Sequence, residues 1–372
     1  MSQRENVNQR REQNHRKNSR RYQKRAAARR RRNTIFIMEI VLLLILAVVL
    51  FFVSKLSKIE KTKLDMDKIE VNEDISQESR KIMKGYQTIA MFGLDNRSNG
   101  NLSQGRSDVI MLANINNDTK EVKLVSVYRD TYLDTGDGIF QKCNAAYAKG
   151  GPEQAISMLN VNLDLNITDY VTVDFNSIIE CVDLLGGVDM EITDDEASLM
   201  TGYIRELNEL TGNKAENLTQ GGTYTLNGVQ ACAYARIRYG GGDDYRRTER
   251  QRTVLTAMVK KAQQSDLTTV NKLINEVCGD IQTSFSNAEL LALASQVFQY
   301  SIGDTTGFPF TKTTRVLSKK TGDVVIPCDL SDNVKELHIF LYEDSAYTAS
   351  DTVKQNSEKI VSDTGFKSGD GH

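Results

Sequence analysis

The chain has 372 residues, with 47 Lys+Arg against 49 Asp+Glu, three His and five Cys. At roughly 100–200 residues per domain, that length allows two domains, or one large domain with appendages, and ample core. His15, His338 and His372 are too far apart for a metal-binding pair and leave a Ser-His-Asp relay almost no base, while Cys143, Cys181, Cys232, Cys278 and Cys328 form no CxxC, so zinc hydrolases, metal ribbons and thioredoxin-type sites are excluded.

The near-neutral total hides two opposed parts. Residues 1–33 carry 13 Lys+Arg and two Glu, a net +11, which leaves the other 339 residues at −13. The basic arm is rich in Gln, Asn and Arg and poor in apolar residues, a composition that predicts disorder. Residues 34–53 follow as TIFIMEIVLLLILAVVLFFV, with Glu39 the one charge. At about 1.5 Å per residue, such a helix spans roughly 30 Å, the hydrocarbon thickness of a bilayer. The run is longer than a signal-peptide core and no small-x-small site precedes Lys55, so an uncleaved anchor is expected. Positive charge stays on the cytoplasmic side, giving a single-pass type II protein of the cell membrane with residues 54–372 outside. Arg29 to Arg32 beside the bilayer then face anionic membrane lipid, and no nucleic-acid partner is expected.

Residues 54–85 are charged with loose helical spacing and read as an extracellular stalk. YQTIAMFGL, DVIMLANIN and EVKLVSVY predict three strands, with a hairpin turn at NNDT between the last two. Helical patterns follow near 152–163, 176–186, 194–210, 226–236 and 246–264, with short strands at YVTVDF and GVDMEI between them. This alternation predicts an α/β (α+β) fold, a central mixed β-sheet flanked by helices and preceded by one transmembrane helix. A catalytic domain is expected over 86–265. Residues 266–346 read as two more helices and short strands (TRVLS, DVVIP, LHIFLY) that complete the domain or are appended to it, and 347–372 reads as a mobile tail. Cys278 and Cys328 are a possible disulfide in an oxidising exterior.

The short connections make the first three strands an up-down-up meander. Asp95, Asp108, Arg129 and Asp130 then fall at one end of the sheet, and Asp95 with Asp108 offers hard oxygen ligands suited to Mg²⁺. The plainer alternative pairs these carboxylates with Arg97 and Arg106 on the surface. A second cluster lies in RIRYGGGDDYRRTERQR, with arginines at 236, 238, 246, 247, 250 and 252. Arg236 and Arg238 share a face only in extended chain, so the preceding helix should end there, while Arg247, Arg250 and Gln251 share a face of the next helix. Arg246 and Arg247 sit in that helix's first turn, where the helix dipole disfavours cations, a local conflict expected where an anion is bound. Guanidinium groups grip phosphate oxygens bidentately. Lys142 is a further phosphate-contact candidate.

Taken together, FGLDNR, GRSDVIML, LVSVYRDTYL, KCNAAYAKGGPEQAI, DYVTVDF, LLGGVDMEI, LNGVQACAYARIRY and DDYRRTERQR resemble the LytR-CpsA-Psr family of membrane-anchored cell-wall proteins of Gram-positive bacteria, in the family's order over about residues 86–262. The resemblance implies transfer of a glycopolymer (teichoic acid, capsule or another secondary polymer) from an undecaprenyl-pyrophosphate carrier to peptidoglycan, with Mg²⁺ at the pyrophosphate. By motif it places metal carboxylates on Asp95 and Asp108, and pyrophosphate contacts on Arg106, Arg129, Arg236, Arg238, Arg247 and Gln251. Departures are Tyr128 where proline is usual, Cys143 where an aliphatic residue is usual, and Arg252 where a second glutamine is common. Asp130 or Asp244 is a candidate base, Arg97 and Arg250 are further substrate contacts, and the Ile- and Leu-rich helices at 152–186 and 289–298 are candidates for a polyprenyl groove. Two other readings use the same residues: a hydrolase with water as acceptor, which would show as a pyrophosphatase side activity, and a non-catalytic wall-polymer sensor or attenuator.

Overall fold

The computed structural model describes residues 60–61, 64–94, 102, 105–238, 243–266, 269, 272–273 and 281–372. The basic arm and the apolar run at 34–53 lie outside these residues, as do Asp95, Arg97 and Cys278. Among the described residues no helix is long and apolar enough to cross a membrane.

In chain order the described strands are β1 (Glu60–Lys61), β2 (Tyr86–Leu94), β3 (Ser107–Asn116), β4 (Glu121–Val127), β5 (Tyr132–Asp134), β6 (Phe140–Lys142), β7 (Asp169–Asp174), β8 (Val188–Ile192), β9 (Gly222–Leu226), β10 (Ile281–Thr283), β11 (Ser301–Phe308), β12 (Lys312–Ser318) and β13 (Gly322–Pro327). The helices are α1 (Gln77–Met83), α2 (Ala145–Leu163), α3 (Phe175–Leu184), α4 (Asp194–Thr211), α5 (Gly228–Arg236), α6 (Asp243–Gln264), α7 (Asn287–Ser295), α8 (Leu330–Tyr342) and α9 (Asp351–Thr364). Seven strands make one mixed sheet in the order β1-β10-β7-β2-β3-β4-β11. The meander expected of β2, β3 and β4 is present, antiparallel throughout.

Alternation along these strands sends every second side chain to one face. Phe92, Leu94, Ile110, Leu112, Val125 and Val127 meet Ile156 and Leu159 of α2, Leu337 of α8 and Ile360 of α9 in the main core. Ile89, Met111, Ala113 and Leu124 face the other way, against Phe285 and Leu255. A third cluster joins α3, α4, α5 and the antiparallel pair β8–β9 through Val182, Val188, Met200, Ile204 and Leu226. In α2 the regular helix restarts at Pro152 after a break at Gly150 and Gly151, the latter at φ 64°. Proline suits that first helical position because its missing N–H would have had no partner there.

Four segments depart from the expectations. Much of the expected stalk belongs to the domain: Ile69, Ile75 and Met83 enter the main core. LHIFLY is helical, because Leu330, Val334, Leu337, His338 and Leu341 recur at helical spacing behind an Asp329 N-cap; the short apolar run alone concealed that period. Residues 347–372 are not a loose tail, since α9 is capped by Ser350 and Gly365 and buries Val353, Ser357, Ile360 and Thr364. Its buried stripe is largely small and polar, so composition gave no hint of it. Finally, within the stretch expected as two helices Ile281–Thr283 is strand β10 beside β7, and with β11 beside β4 the region completes the domain, one of the two alternatives expected of it.

A buried polar knot fastens these late and early segments together. Asp164, at the left-handed C-cap of α2, accepts hydrogen bonds from the Tyr347 hydroxyl, the Ser350 N–H (2.8 Å) and the Asn72 amide (2.5 Å). His338 stacks on Tyr347 with ring centroids 3.8 Å apart, and its Nε2–H donates to the Leu163 carbonyl (3.0 Å) while Nδ1 has no partner. Burial holds the His338 pKa below its ordinary value, against the opposing pull of the Leu163 carbonyl, Asp164 and Asp344. A depressed folded pKa means that the unfolded chain takes up the proton first, so stability declines as pH drops below about 6.5, by at most about 1.4 kcal/mol per pH unit. Urea unfolding between pH 7.5 and 5.5 should show this decline in the wild type and a shallower pH slope in His338→Gln.

Candidate functional site

The register of β3 with β4 pairs Met111 with Ser126, and extending it by three residues sets Arg129 opposite Asp108. Their side chains form an ion pair, Arg129 Nη1 to Asp108 Oδ1 at 2.8 Å. Arg129 Nε lies 3.7 Å from Asp130, and Lys142, the last residue of β6, reaches Asp130 from the other side at 3.2 Å. Burial works against the Arg129 charge, yet Asp108, Asp130 and Asp244 outweigh it and keep its pKa above the ordinary guanidinium value.

The first turn of α6 brings in the second cluster. Arg247, 3% exposed, pairs with Asp244 at 3.2 Å and donates to the Asp108 carbonyl at 3.4 Å. Burial pushes its pKa down to about 10; Asp244 opposes the drop, while Arg129 and Arg238 add to it. The two clusters expected from sequence therefore share one electrostatic environment. Arg238 is exposed beside it, and Arg106, also exposed, immediately precedes β3.

Other expected contacts are tied elsewhere. Arg236 pairs with Glu206 at 3.3 Å and lies over the Phe175 ring at 5.1 Å. Arg250 pairs with Glu196 at 3.0 Å, the same carboxylate that completes the capping box of α4. That contact braces α4 against α6.

Beside the arginines an apolar cavity of about 780 Å³, counting space open to solvent, is walled by Met91, Val109 and Val171 of the sheet, Phe175 and Ile178 of α3, and Val254 and Met258 of α6. Gln251, one helical turn beyond Arg247, also lines it, and its Oε1 is buried without a hydrogen-bond partner among the described residues, as is Nε of Arg247. Of the expected groove, α3 contributes, but Ile156 and Leu159 of α2 are packed in the main core and Leu290 and Leu293 of α7 pack under the sheet. Cys328 is buried with its Sγ 3.5 Å from the Ile326 carbonyl, and the expected pairing with Cys278 involves a residue outside the described ones. Burial raises the Cys143 and Cys181 pKa values, which makes them core residues rather than nucleophiles.

Sequence reasoning missed the aromatic side of the site. Tyr128 packs against Tyr245 with centroids 4.6 Å apart, and Lys312 Nζ lies 4.7 Å from the Tyr245 centroid and 5.4 Å from that of Tyr128. Tyr128 fits because Gly307 faces it: a Cβ there would lie 2.1 Å from the Tyr128 hydroxyl. Arg252, 8% exposed, lies close enough to Tyr128 to influence its hydroxyl, so two departures from the family pattern are neighbours in space. No local signal links residues 128, 245 and 312; the fold alone brings them together.

The profile of the LytR_cpsA_psr family matches residues 46–315, most of the chain and every element of this site. The chain belongs to the LytR_cpsA_psr family. It is 30% identical over 210 residues, 56% of this chain and 64% of the relative, to the polyisoprenyl-teichoic acid--peptidoglycan teichoic acid transferase TagU of Enterococcus faecalis. With the corresponding TagV of Bacillus subtilis it shares 30% over 195 residues, 51% of this chain and 48% of that relative. The chain thus spans less than two thirds of the length of these curated relatives. Among solved structures it superposes on TagT bound to LI-WTA with a TM-score of 0.58, at 21% identity, covering 76% of this chain and 98% of the other, a likeness of fold.

The burial of Arg247 carries a prediction. A lysine there keeps the charge nominally but loses the fork, and the same burial would lower its pKa toward the range in which the charge is lost as pH rises. Calorimetric titration of inorganic pyrophosphate into the Arg247→Lys protein should show weaker binding than wild type at pH 7, with the gap widening at pH 9.

Proposed function

We propose that this chain is a membrane-anchored phosphotransferase that moves a glycopolymer from a polyprenyl-pyrophosphate carrier to peptidoglycan outside the cell. One observation carries the reading: Arg247, buried with its Nε unpartnered among the described residues, and the half-buried Arg129 stand next to an apolar cavity that Gln251 and Val109 line. That pairing suits a ligand with a charged diphosphate and a hydrocarbon tail. The relatives named as teichoic acid transferases support the same chemistry.

A diphosphate repels nucleophiles by its own charge, so catalysis of its transfer is mainly positioning and neutralisation. Arg129, Arg247 and Arg238 supply the positive groups, with Lys142 and Gln251 at the margins. Asp108 fits a hard cation: Arg129 takes one of its oxygens, and the other makes no hydrogen bond among the described residues. A hard cation of this kind uses one or two carboxylates and completes its shell with water and phosphate oxygens. Asp108, with Asp95, would hold Mg²⁺, which when bound supplies further neutralisation of the diphosphate oxygens.

A sugar hydroxyl of peptidoglycan attacks the phosphorus nearest the polymer; the new P–O bond forms as the bridging P–O bond breaks, and polyprenyl phosphate leaves. Asp130, held between Arg129 and Lys142, serves to position those cations. Asp244, partly exposed with Arg247 as its ion-pair partner, is the better placed acceptor for the hydroxyl proton.

Asp108→Ala should lower turnover by about 10²–10³-fold while polyprenyl-pyrophosphate binding persists. Arg238→Ala should weaken that binding more than Arg236→Ala, which loses mainly the Glu206 contact. The assay incubates the full chain with Mg²⁺, a polyprenyl-pyrophosphoryl oligosaccharide and nascent glycan strands, and follows products by mass spectrometry. A polymer-peptidoglycan adduct supports transfer, whereas free polymer phosphate points to hydrolysis and binding without product to a sensor.

A further inference from the structure

Tyr128 directly precedes Arg129 at the end of β4, and Tyr245 stands between Asp244 and Arg247 in the first turn of α6. Their ring contact, with centroids 4.6 Å apart and planes at 59°, therefore joins the two chain segments that carry the charged clusters. The Tyr128 backbone is held firmly. Its N–H donates to the Phe308 carbonyl (3.0 Å), and its carbonyl accepts from the Thr131 N–H (2.9 Å), the Thr131 hydroxyl (2.6 Å) and the Cys143 thiol (3.2 Å). Among the described residues, the first turn of α6 has slighter polar ties to the sheet: the Arg247–Asp244 pair lies within the turn, and the Arg247 bond to the Asp108 carbonyl is long at 3.4 Å. Arg129 and Arg238 oppose the Arg247 charge, and the positive end of the α6 dipole adds to that repulsion. Lys312 comes from a third element. Its ammonium lies over both rings, 4.7 Å from the Tyr245 centroid and 5.4 Å from that of Tyr128, and donates to the Phe310 carbonyl at 3.1 Å. The β12–β13 hairpin around it is pinned in turn: the Lys312 N–H and C=O exchange hydrogen bonds with those of His372 (3.3 and 3.1 Å), and the Val325 N–H donates to the Asp130 carbonyl at 2.9 Å.

We infer that Tyr128, Tyr245 and Lys312 form a clamp of positioning residues that seats the first turn of α6 against the end of β4 and so sets the spacing of Arg129 and Arg247 for a diphosphate. The inference rests on the phosphotransfer reading above. Two tilted rings at this separation attract each other, and a partly desolvated ammonium over their faces adds to the hold. The attraction comes from ring faces, so the clamp works without placing another anion among the cations that must meet the ligand. When it loosens, mutual repulsion lifts Arg247 away from Arg129, and the apparent affinity falls with the fraction of molecules in which the turn is seated. Gly307 belongs to the same device, since a Cβ there would displace the Tyr128 ring from β11.

The test uses the full chain in detergent micelles and two measurements, hydrogen exchange without ligand and calorimetric titration of inorganic pyrophosphate. Tyr245→Leu, Lys312→Met and Gly307→Ala should each speed exchange in the first two turns of α6 while β2 and β3 keep their wild-type protection. Tyr245→Leu should weaken pyrophosphate binding by about tenfold and Lys312→Met by about threefold, whereas Tyr245→Phe and Lys312→Arg, which keep the ring and the cation, should stay within about twofold of wild type. The double variant Tyr245→Leu/Lys312→Met should bind no more weakly than Tyr245→Leu alone, because Lys312 acts through the ring. Multiplying losses would mean that Lys312 meets the anion directly and would overturn the clamp. So would a uniform rise in exchange over the whole chain, which marks ordinary core residues, or unchanged exchange in α6, or faster exchange there with unchanged affinity. If the wild type itself does not bind pyrophosphate, the phosphotransfer reading fails, and exchange in the ligand-free chain still decides whether the three residues hold α6 in place.

Discussion

The ion pair between Asp108 and Arg129 organises the rest of the site. Two neighbouring strands end side by side, and their register puts a carboxylate opposite a guanidinium. Around this pair the chain adds Asp130, Lys142, Asp244 and Arg247, alternating in sign. Alternation makes it possible to keep so many cations close together in a partly buried place, because each one has an anion within a few ångströms. The pKa directions express the balance: Arg129, with three carboxylates near it, is held up, while Arg247, deeper and facing other arginines, is held down. An incoming diphosphate would relieve Arg247 by adding the negative charge that its surroundings lack.

Much of this was legible in the sequence. The meander follows from three apolar strands with short links, and the end of α5 near Arg236 follows from the glycine run after it. What escaped was whatever depends on long-range packing. The segment around Ile69 and Ile75 looks like a charged spacer because only a few apolar residues are needed to dock it, and α9 looks like a tail because its buried side is made of asparagine, serine, threonine and two aliphatic residues. Arg250 shows the same limit at the level of a single side chain: its position on the helix face was correct, but Glu196, which claims it, comes from a helix more than fifty residues earlier.

The apolar cavity and the arginine group are built from the same elements. Val109 is next to Asp108 on β3, and Gln251 is one turn from Arg247 on α6, so sheet and helix each run from charged to apolar as they leave the site. The β12–β13 hairpin closes the other side, and its attachment through backbone hydrogen bonds leaves its outward side chains free to vary.

The contact between Tyr128 and Gly307 has an evolutionary corollary. With tyrosine at 128, no side chain larger than hydrogen fits at 307 unless the ring moves, and a strand glycine with no tyrosine to accommodate would leave a gap above β11. The two positions therefore constrain each other's history: descendants that revert 128 to a small residue are released to place an ordinary strand former at 307, and those that keep the tyrosine are not.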